Sequence, residues 1–325
     1  METVHLNGID TPMSTFVLGT MTFGDTVDRA GAAAMLDAAR EAGINAVDTA
    51  NGYAGGATET MLGGLLAGRH DDLVLATKAG MPHPDAGKHS PLSEQGLRLA
   101  LEGSLRRLRT ERVDLFYLHQ PDRRAGLDET LQTVAALVDE GKIGALGVSN
   151  FAAWQIAEVN AAAERNGAPR PVVAQQLYNL LARRIEEEYA EFAATTGLHT
   201  MVYNPLGGGL LTGKHRFDAD PEDGRFQGSR LAEMYKQRYW DEQLFDAIGE
   251  LARIADDAGM PLVELSLRWL VSRPATGSVL LGGSKPHQLT SNLAALSRGP
   301  LEDSLLEACD RVGATLRGPM PAYNR

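Results

Sequence analysis

Eight short, apolar, β-branched runs recur along the 325-residue chain, and a stretch with helical spacing separates each from the next. The runs cover 15–18 (TFVL), 44–48 (INAVD), 73–77 (LVLAT), 113–118 (VDLFYL), 143–148 (IGALGV), 172–176 (VVAQQ), 199–203 (HTMVY) and 277–281 (GSVLL). The intervening periodicity predicts helices over 31–42, 57–67, 93–109, 127–140, 152–165, 184–196, 241–272 and 286–296. Strands that alternate with helices must run parallel, because each return needs a crossover. Eight repeats fit a closed (β/α)8 TIM barrel better than an open doubly wound sheet. No Ser-, Pro- or charge-rich run divides the chain, so one domain spanning 1–325 is expected. Ahead of the first repeat, Asn7-Gly8 in VHLNGIDTP predicts a β-hairpin with a type I′ turn that plugs the lower end of the barrel. Residues 204–240 and the tail from 297 break the period, and long loops of this kind at the C-terminal face are expected to shape a pocket.

Charge and cysteine content narrow the function classes. A net charge of −11 leaves no basic stripe for a polyanion, which removes the main electrostatic contribution to nucleic-acid binding. The single cysteine, Cys309, has no internal partner, and METVHLNGID lacks the charged-then-apolar layout of a secretory signal, so a cytoplasmic location is expected. Residues 192–213 carry no charge, but five glycines and a proline interrupt them, so no membrane helix is expected there.

Two local motifs invite readings that fail. PLGGGLLTGK, residues 205–214, has the outline of a phosphate-binding P-loop, yet His215 stands where a Ser or Thr must bind magnesium. HPDAGKH, residues 83–89, offers two histidines without paired metal-ligand spacing or a third ligand, so no metal is expected. The glycines of the first motif follow a strand at the active rim of a barrel, where small residues let backbone amides approach an anionic group.

In a barrel of this type the chemistry sits at the carboxyl ends of the strands. Asp48 ends the second run, with Tyr53 five residues on in DTANGY; Lys78 ends the third in LATK, and His119 the fourth in FYLHQPD. Singly, each has a plain structural reading: an Asp-Lys ion pair, a packed tyrosine, a satisfied core histidine. Together they fit one reaction. Hydride addition to a carbonyl makes an alkoxide that needs an acid. A phenol becomes a better donor beside a cation, Asp48 would keep Lys78 charged, and His119 would polarise the carbonyl oxygen. A Schiff base on Lys78 is an alternative, opposed by Asp48, which favours the ammonium.

DTANGY, LATK, LHQPD and GVSNF, in this order and spacing, resemble the aldo-keto reductase superfamily over essentially the whole chain. SNFAAWQIAEV, YNPLGGGLLTGK, GRFQG, YKQRYW and PAYNR are similar to its aflatoxin aldehyde reductase branch. The resemblance implies Asp48, Tyr53, Lys78 and His119 as a catalytic tetrad with Tyr53 as general acid in reduction. It also implies NADPH bound extended across the barrel mouth. The sole Gly-x-Gly, Gly207 and Gly209, has Thr212 in place of the third glycine of a dinucleotide fingerprint, consistent with the absence of a Rossmann site. By resemblance, the nicotinamide end falls to Thr20, Met21, Asp48, Ser149, Asn150, Gln175 and Tyr203, with Tyr203 stacking on the ring. The pyrophosphate falls to Asn204, Pro205, Leu206, Gly207, Leu210 and Lys214, and the adenosine phosphate to Gly282, Ser284, Lys285, Gln288 and Asn292. Ser291 departs from the family pattern, where many relatives carry Glu for the adenine, and Lys285 reads equally as a solvated surface charge. A pocket of Met21, Phe23, Tyr53, His119 and the two long segments would select a small carbonyl substrate. Arg225 and Arg325 resemble carboxylate-binding residues of this branch and read equally as surface charges. The resemblance therefore implies an NADPH-dependent reductase of aldehydes, with ketones, dialdehydes or succinic semialdehyde-like acids in range, assembled as a homodimer. The alternative is an NADPH-binding regulator resembling the potassium-channel β subunits.

Overall fold

The computed structural model describes residues 1–68, 72–221 and 224–319. Eight parallel strands close into a barrel: β3 (Phe16–Gly19), β4 (Ala46–Asp48), β5 (Val74–Ala79), β6 (Val113–Leu118), β7 (Ile143–Ser149), β8 (Val173–Leu177), β9 (His199–Tyr203) and β10 (Ser278–Leu281), with β10 pairing β3. Each expected run is one of these strands, to within two residues at the start and end. Ahead of them, β1 (Thr3–Val4) and β2 (Met13–Ser14) pair antiparallel. The hairpin is present, but its turn is not the two-residue type I′ that Asn7-Gly8 predicts. The register Val4↔Met13 leaves residues 5–12 as a wide loop, whose Leu6 and Ile9 reach into the barrel. Burying those two side chains outweighs the local turn preference.

The outer layer is formed by α1 (Arg29–Glu41), α2 (Ala57–Leu65), α3 (Glu94–Leu108), α4 (Leu127–Asp139), α5 (Ala153–Asn166), α6 (Tyr189–Thr196), α7 (Ala232–Tyr239), α8 (Glu242–Asp257), α9 (Leu262–Val271), α10 (Pro286–Leu296) and α11 (Asp303–Arg317). Local chemistry sets their ends. Asp28 and Ser93 cap α1 and α3 by accepting from Gly31 N at 2.8 Å and Gly96 N at 3.3 Å. Gly167 and Gly197 end α5 and α6 in the left-handed conformation. The single helix expected over 241–272 is two, α8 and α9, broken at Gly259-Met260-Pro261, where Gly259 has φ +67°. Residues 204–240 are not merely a loop, since they contain α7 and short 3-10 turns. The tail from 297, expected at the pocket, instead forms α11, which packs on α8 in the outer layer over its described part.

Two apolar clusters result. The larger lies between barrel and helices. The smaller fills the lower lumen, where Leu6, Ile9 and Met13 of the hairpin meet inward residues such as Val17, Val74, Leu115, Val173 and Met201. Side chains alternate along a strand, so the positions two residues above Ala46, Ala76 and Val173 also face inward. Those positions are Asp48, Lys78 and Gln175, all buried. The apolar plug below and these polar groups above divide the lumen into a sealed floor and a reactive rim.

Gly8 shows how tightly the plug is seated. Its φ is +83°, and a Cβ there would lie 2.7 Å from the carbonyl oxygen of Gly144. Gly8→Ala should lower stability by about 1–3 kcal/mol, read as a lower urea midpoint at unchanged slope; a change below about 0.5 kcal/mol would show that the hairpin is not locked in place.

Candidate active site

The segment after β4 organises the rim. Thr49 N donates to Ala76 O at 2.9 Å and Asn51 N to Lys78 O at 3.1 Å, so residues 49–51 continue alongside β5. A 3-10 turn, Tyr53–Gly56, then reverses the chain through three successive left-handed residues, Ala54 (φ +46°), Gly55 (φ +63°) and Gly56 (φ +92°). Ala54 carries a Cβ in this region, a conformation an ordinary residue adopts at a small energetic penalty. The reversal brings Tyr53 back over the strand ends.

The structure brings Asp48, Tyr53, Lys78 and His119 together. Lys78 Nζ donates to Asp48 Oδ1, to the Thr49 carbonyl at 2.8 Å and to Tyr53 OH at 3.3 Å. The ammonium's three donors are thereby all engaged. Gln175, on the strand diametrically opposite β4, crosses the lumen and donates from Nε2 to the second Asp48 oxygen at 3.0 Å. The rings of Tyr53 and His119 meet edge to face with centroids 6.0 Å apart. His119 N is anchored to Ala79 O at 2.8 Å, while its buried Nδ1 has no protein partner, so the reading of a satisfied core histidine does not describe it.

Burial and charge act on each group in a definite direction. Burial pushes Asp48 up, opposed by the Lys78 ammonium. Burial is the largest single effect on Lys78 and pulls it down, but the Asp48 carboxylate, Tyr53 and the hydrogen bonds to both together raise it, so the amine is held protonated. That opposes a Schiff base at this lysine. Burial, then Lys78, lowers His119 to about 3, which leaves its imidazole neutral. Tyr53 departs from expectation. Lys78 does pull it down, but burial is the larger effect and the phenol sits above its ordinary value. Asp48 adds to burial by opposing part of the lysine's pull at the hydroxyl.

The other expected site residues fall in three groups. Among those expected at a nicotinamide, Thr20 Oγ1 donates to Asp48 O at 2.9 Å, and Ser149 Oγ to Gln175 O at 3.0 Å. Asn150, at φ +61°, donates from Nδ2 to His119 O at 3.0 Å and accepts from Tyr203 OH at 2.6 Å. Ser149, Asn150, Gln175 and Tyr203 lie together at the ends of β7, β8 and β9, with Thr20 across the lumen beside Asp48. In the loop after β9, Gly207, Gly208 and Gly209 all have positive φ, and Asn204 Oδ1 accepts from Gly208 N at 2.6 Å. A Cβ on Gly208 would lie 2.7 Å from the Tyr235 ring, so packing explains that glycine, whereas nothing of the protein lies within 3.5 Å of a Cβ at Gly209. Pro205 and Leu210 are buried, Leu210 within the outer core; Leu206 is half-buried and Lys214 exposed. In the segment after β10, Gln288 Oε1 accepts from Ser284 N at 2.9 Å and Lys285 N at 3.2 Å, Lys285 is exposed, Gly282 half-buried and Asn292 buried.

On the substrate side, Met21 is half-buried, and Arg225 Nη1 lies 3.6 Å from its sulfur and 2.9 Å from Tyr235 OH. Phe23 does not line the pocket. It is fully buried in the outer core, and its carbonyl accepts from Thr58 Oγ1 at 2.6 Å. The strand has already turned outward by residue 23, a bend that strand parity alone does not reveal. Arg325 lies outside the described residues.

Sequence reasoning missed several groups at the rim. Tyr117 and Asn51 are fully buried, and neither amide atom of Asn51 has a partner. Tyr235 and Tyr239 of α7 reach the rim, Tyr239 OH accepting from Asn204 Nδ2 at 2.8 Å. The spacing of Tyr117 and His119, two apart on one strand, was a signal for the first. No group of three or more His, Cys, Asp or Glu suited to a metal occurs among the described residues, and no described helix is long and apolar enough to cross a membrane.

Comparison with known proteins gives this geometry a family. The model of the Aldo/keto reductase family matches residues 15–314. The rat aflatoxin B1 aldehyde reductase member 2 is 39% identical over 95% of this chain and 87% of its own length. A probable voltage-gated potassium channel subunit beta from Oryza sativa subsp. japonica is 34% identical over 91% of this chain and 90% of its own. Among solved structures, the glycerol dehydrogenase AKR11B4 from Gluconobacter oxydans superposes with a TM-score of 0.79 at 28% identity, covering 99% of this chain and 98% of that one. The closed barrel, the hairpin beneath it and the matched sequence agree: the chain belongs to the aldo/keto reductase family, whose members are oxidoreductases that use nicotinamide cofactors.

Proposed function

We propose that the protein is an NADPH-dependent reductase of aldehydes, with reactive ketones, dialdehydes and short acidic aldehydes in range, in which Tyr53 is the proton donor. The observation that carries the reading is the hydroxyl of Tyr53 3.3 Å from a buried, charge-held lysine, beside an imidazole with one unpartnered nitrogen. The rim also fits a nicotinamide dinucleotide. The Ser149 hydroxyl and the Asn150 and Gln175 amides offer the donors and acceptors that a carboxamide needs. The positive-φ glycines after β9 open a backbone face to an anion, and Lys214 and Lys285 bring positive charge to that face and to the neighbouring segment after β10. Lys285 favours the phosphorylated cofactor over NADH.

When bound, the reduced nicotinamide supplies a hydride to the carbonyl carbon. His119, neutral, donates a hydrogen bond to the carbonyl oxygen and polarises it without competing as an acid. Tyr53 passes its phenolic proton to that oxygen once it has become an alkoxide, a far stronger base than the phenolate left behind. Lys78 stabilises the phenolate, and Asp48, fixed at both oxygens by Lys78 and Gln175, keeps the lysine charged and in place. The contact between Arg225 and Met21 supports a role for both at the substrate's far end, where Arg225 would give an acidic aldehyde a counter-charge.

A second reading, an NADPH-binding regulator, draws on the similarity to the plant channel subunit. It is separated from the first by turnover: following NADPH absorbance across an aldehyde panel should give steady reduction, and cofactor binding with no turnover on any aldehyde would favour the regulator.

Tyr53→Phe should lower aldehyde turnover by at least ~10²-fold with cofactor affinity little changed, the usual scale for losing a general acid. Retained turnover would remove Tyr53 from the mechanism. Because His119 is neutral above about pH 3, reduction should show no histidine inflection in the physiological range. Because Tyr53 is raised, reduction should persist until pH passes the ordinary phenol range, whereas the reverse oxidation, which needs the phenolate, should climb with pH. A bell with an acidic limb near a normal histidine value would contradict this assignment.

A further inference from the structure

Tyr117 is a fully buried ionisable side chain at the reactive rim that the mechanism above leaves unused. It lies on β6 two residues before His119, on the inward face, as the register partner of Lys78 on β5. The Lys78 ammonium is 5.0 Å from the centroid of the Tyr53 ring and 5.6 Å from that of Tyr117, both within the range of a cation–π contact. Lys78 has no N–H left for Tyr117, so the contact that remains is with the ring face. The Tyr117 hydroxyl points elsewhere, to Met201 Sδ at 3.6 Å. Gln175 Nε2 touches the same sulfur at 3.5 Å and holds Asp48 at 3.0 Å, so Tyr117, Met201 and Gln175 form a continuous chain of contacts back to the carboxylate that holds the ammonium.

The sequence makes room for this ring. Tyr117 pairs in register with Gly147 of β7, and a Cβ on Gly147 would lie 2.5 Å from Tyr117 Cδ1 and 2.6 Å from Cε1. The ring occupies the space that a side chain on the next strand would otherwise take. Inward residues around it are small, with Ala46, Ala76 and Ala145 on β4, β5 and β7. One large side chain fills a layer that its neighbours leave empty. Burial, then the Asp48 carboxylate, pushes Tyr117 well above the ordinary phenol range, which keeps it a neutral ring beneath the charge.

We propose that Tyr117 is a positioning residue: its ring, seated over Gly147, is the floor that holds the Lys78 ammonium against the Tyr53 hydroxyl and so sets how readily Tyr53 gives up its proton. The proposal rests on the reading of Tyr53 as proton donor. The other titratable or charged groups facing this pair are Asp48 from β4, His119 from the end of β6, Tyr203 from β9 and Tyr235 from α7, with Arg238 acting on Tyr203. Glu59 lies on the far side of β5, bonded to Thr77 and Arg107, and does not reach the ammonium.

The test uses the full-length enzyme with NADPH and para-nitrobenzaldehyde, and the corresponding alcohol with NADP+, over a pH series. Tyr117→Leu removes the ring and Gly147→Ala pushes it from its seat. Each should reduce turnover on the order of tenfold, the scale of a desolvated cation–π contact, and move both the alkaline fall of reduction and the rise of oxidation to higher pH. NADPH affinity, read by fluorescence titration, should not move. Tyr117→Phe keeps the ring and should keep the parent's pH profile. Where Tyr117→Leu fails to fold by circular dichroism, Tyr117→Met replaces it. Tyr117→Leu or Tyr117→Met with the parent's profile would overturn the proposal, as would Tyr117→Phe displaced as far as they are, since the hydroxyl would then be the active part. Tyr53→Phe in the same series separates the two readings. If it retains turnover, the proton-donor reading fails; if it is inactive while the Tyr117 variants match the parent, only the floor fails.

Discussion

A carboxylate and an ammonium, both wholly removed from water, face each other at the top of the barrel, and the rim is built around keeping them paired. Taking either charge out of water is unfavourable by several kcal/mol, and the pair is tolerated only because every remaining valence is met. Lys78 has three acceptors for three donors, and Asp48 has Lys78 on one oxygen and Gln175 on the other. The partners come from β4, its continuation, the Tyr53 turn and β8, so the pair can exist only in a closed barrel. Removing one member would strand the other charge, a loss of about 3–5 kcal/mol, which ties the integrity of the rim to the same interaction that the proposed chemistry uses.

Burial first, and the Asp48 carboxylate after it, explain why Tyr53 is not the acidic phenol that a neighbouring lysine alone would produce. Burial is the largest effect at the hydroxyl, and the Asp48 carboxylate beside the lysine offsets part of the ammonium's pull. The phenol is therefore kept in its acid form through neutral pH, as a proton donor requires. An alkoxide needs no unusually strong acid; it needs one that is protonated, close and unable to lose its proton to water first. His119 complements this by being neutral, since an imidazolium at the same place would repel the ammonium and compete for the proton.

Much of the fold was legible because the signal was periodic. Each barrel strand is a short apolar run bounded by turns, and eight in alternation with helices leave few architectures. What escaped was decided by contacts between distant segments. Asn7-Gly8 has the right chemistry for a tight turn, but burying Leu6 and Ile9 in the lumen selects a wider loop. The break between α8 and α9 was written as Gly259 and Pro261 and was hidden by apolar spacing on both sides. Phe23 stands four residues past the end of β3, where alternation no longer applies, and it turned into the outer core. At the rim, Asp48, Lys78 and His119 were legible as polar residues ending strands. Tyr117 was signalled only by its spacing from His119, because an aromatic inside an apolar strand reads as filler until its register partner, Gly147, is known to leave it room.

The claim on which the rest turns is that the Lys78 ammonium holds down the proton affinity of Tyr53 against the effect of burial. The most direct measurement is the titration of Tyr53 itself, by NMR of tyrosine labelled at the ring carbon bearing oxygen, in the parent and in Lys78→Met, with Tyr53→Phe to identify the resonance. Loss of the cation should move the Tyr53 titration to higher pH than in the parent. A Tyr53 titration that stays in place or moves lower when Lys78 is removed would contradict the assignment of the lysine, and with it the role of Asp48.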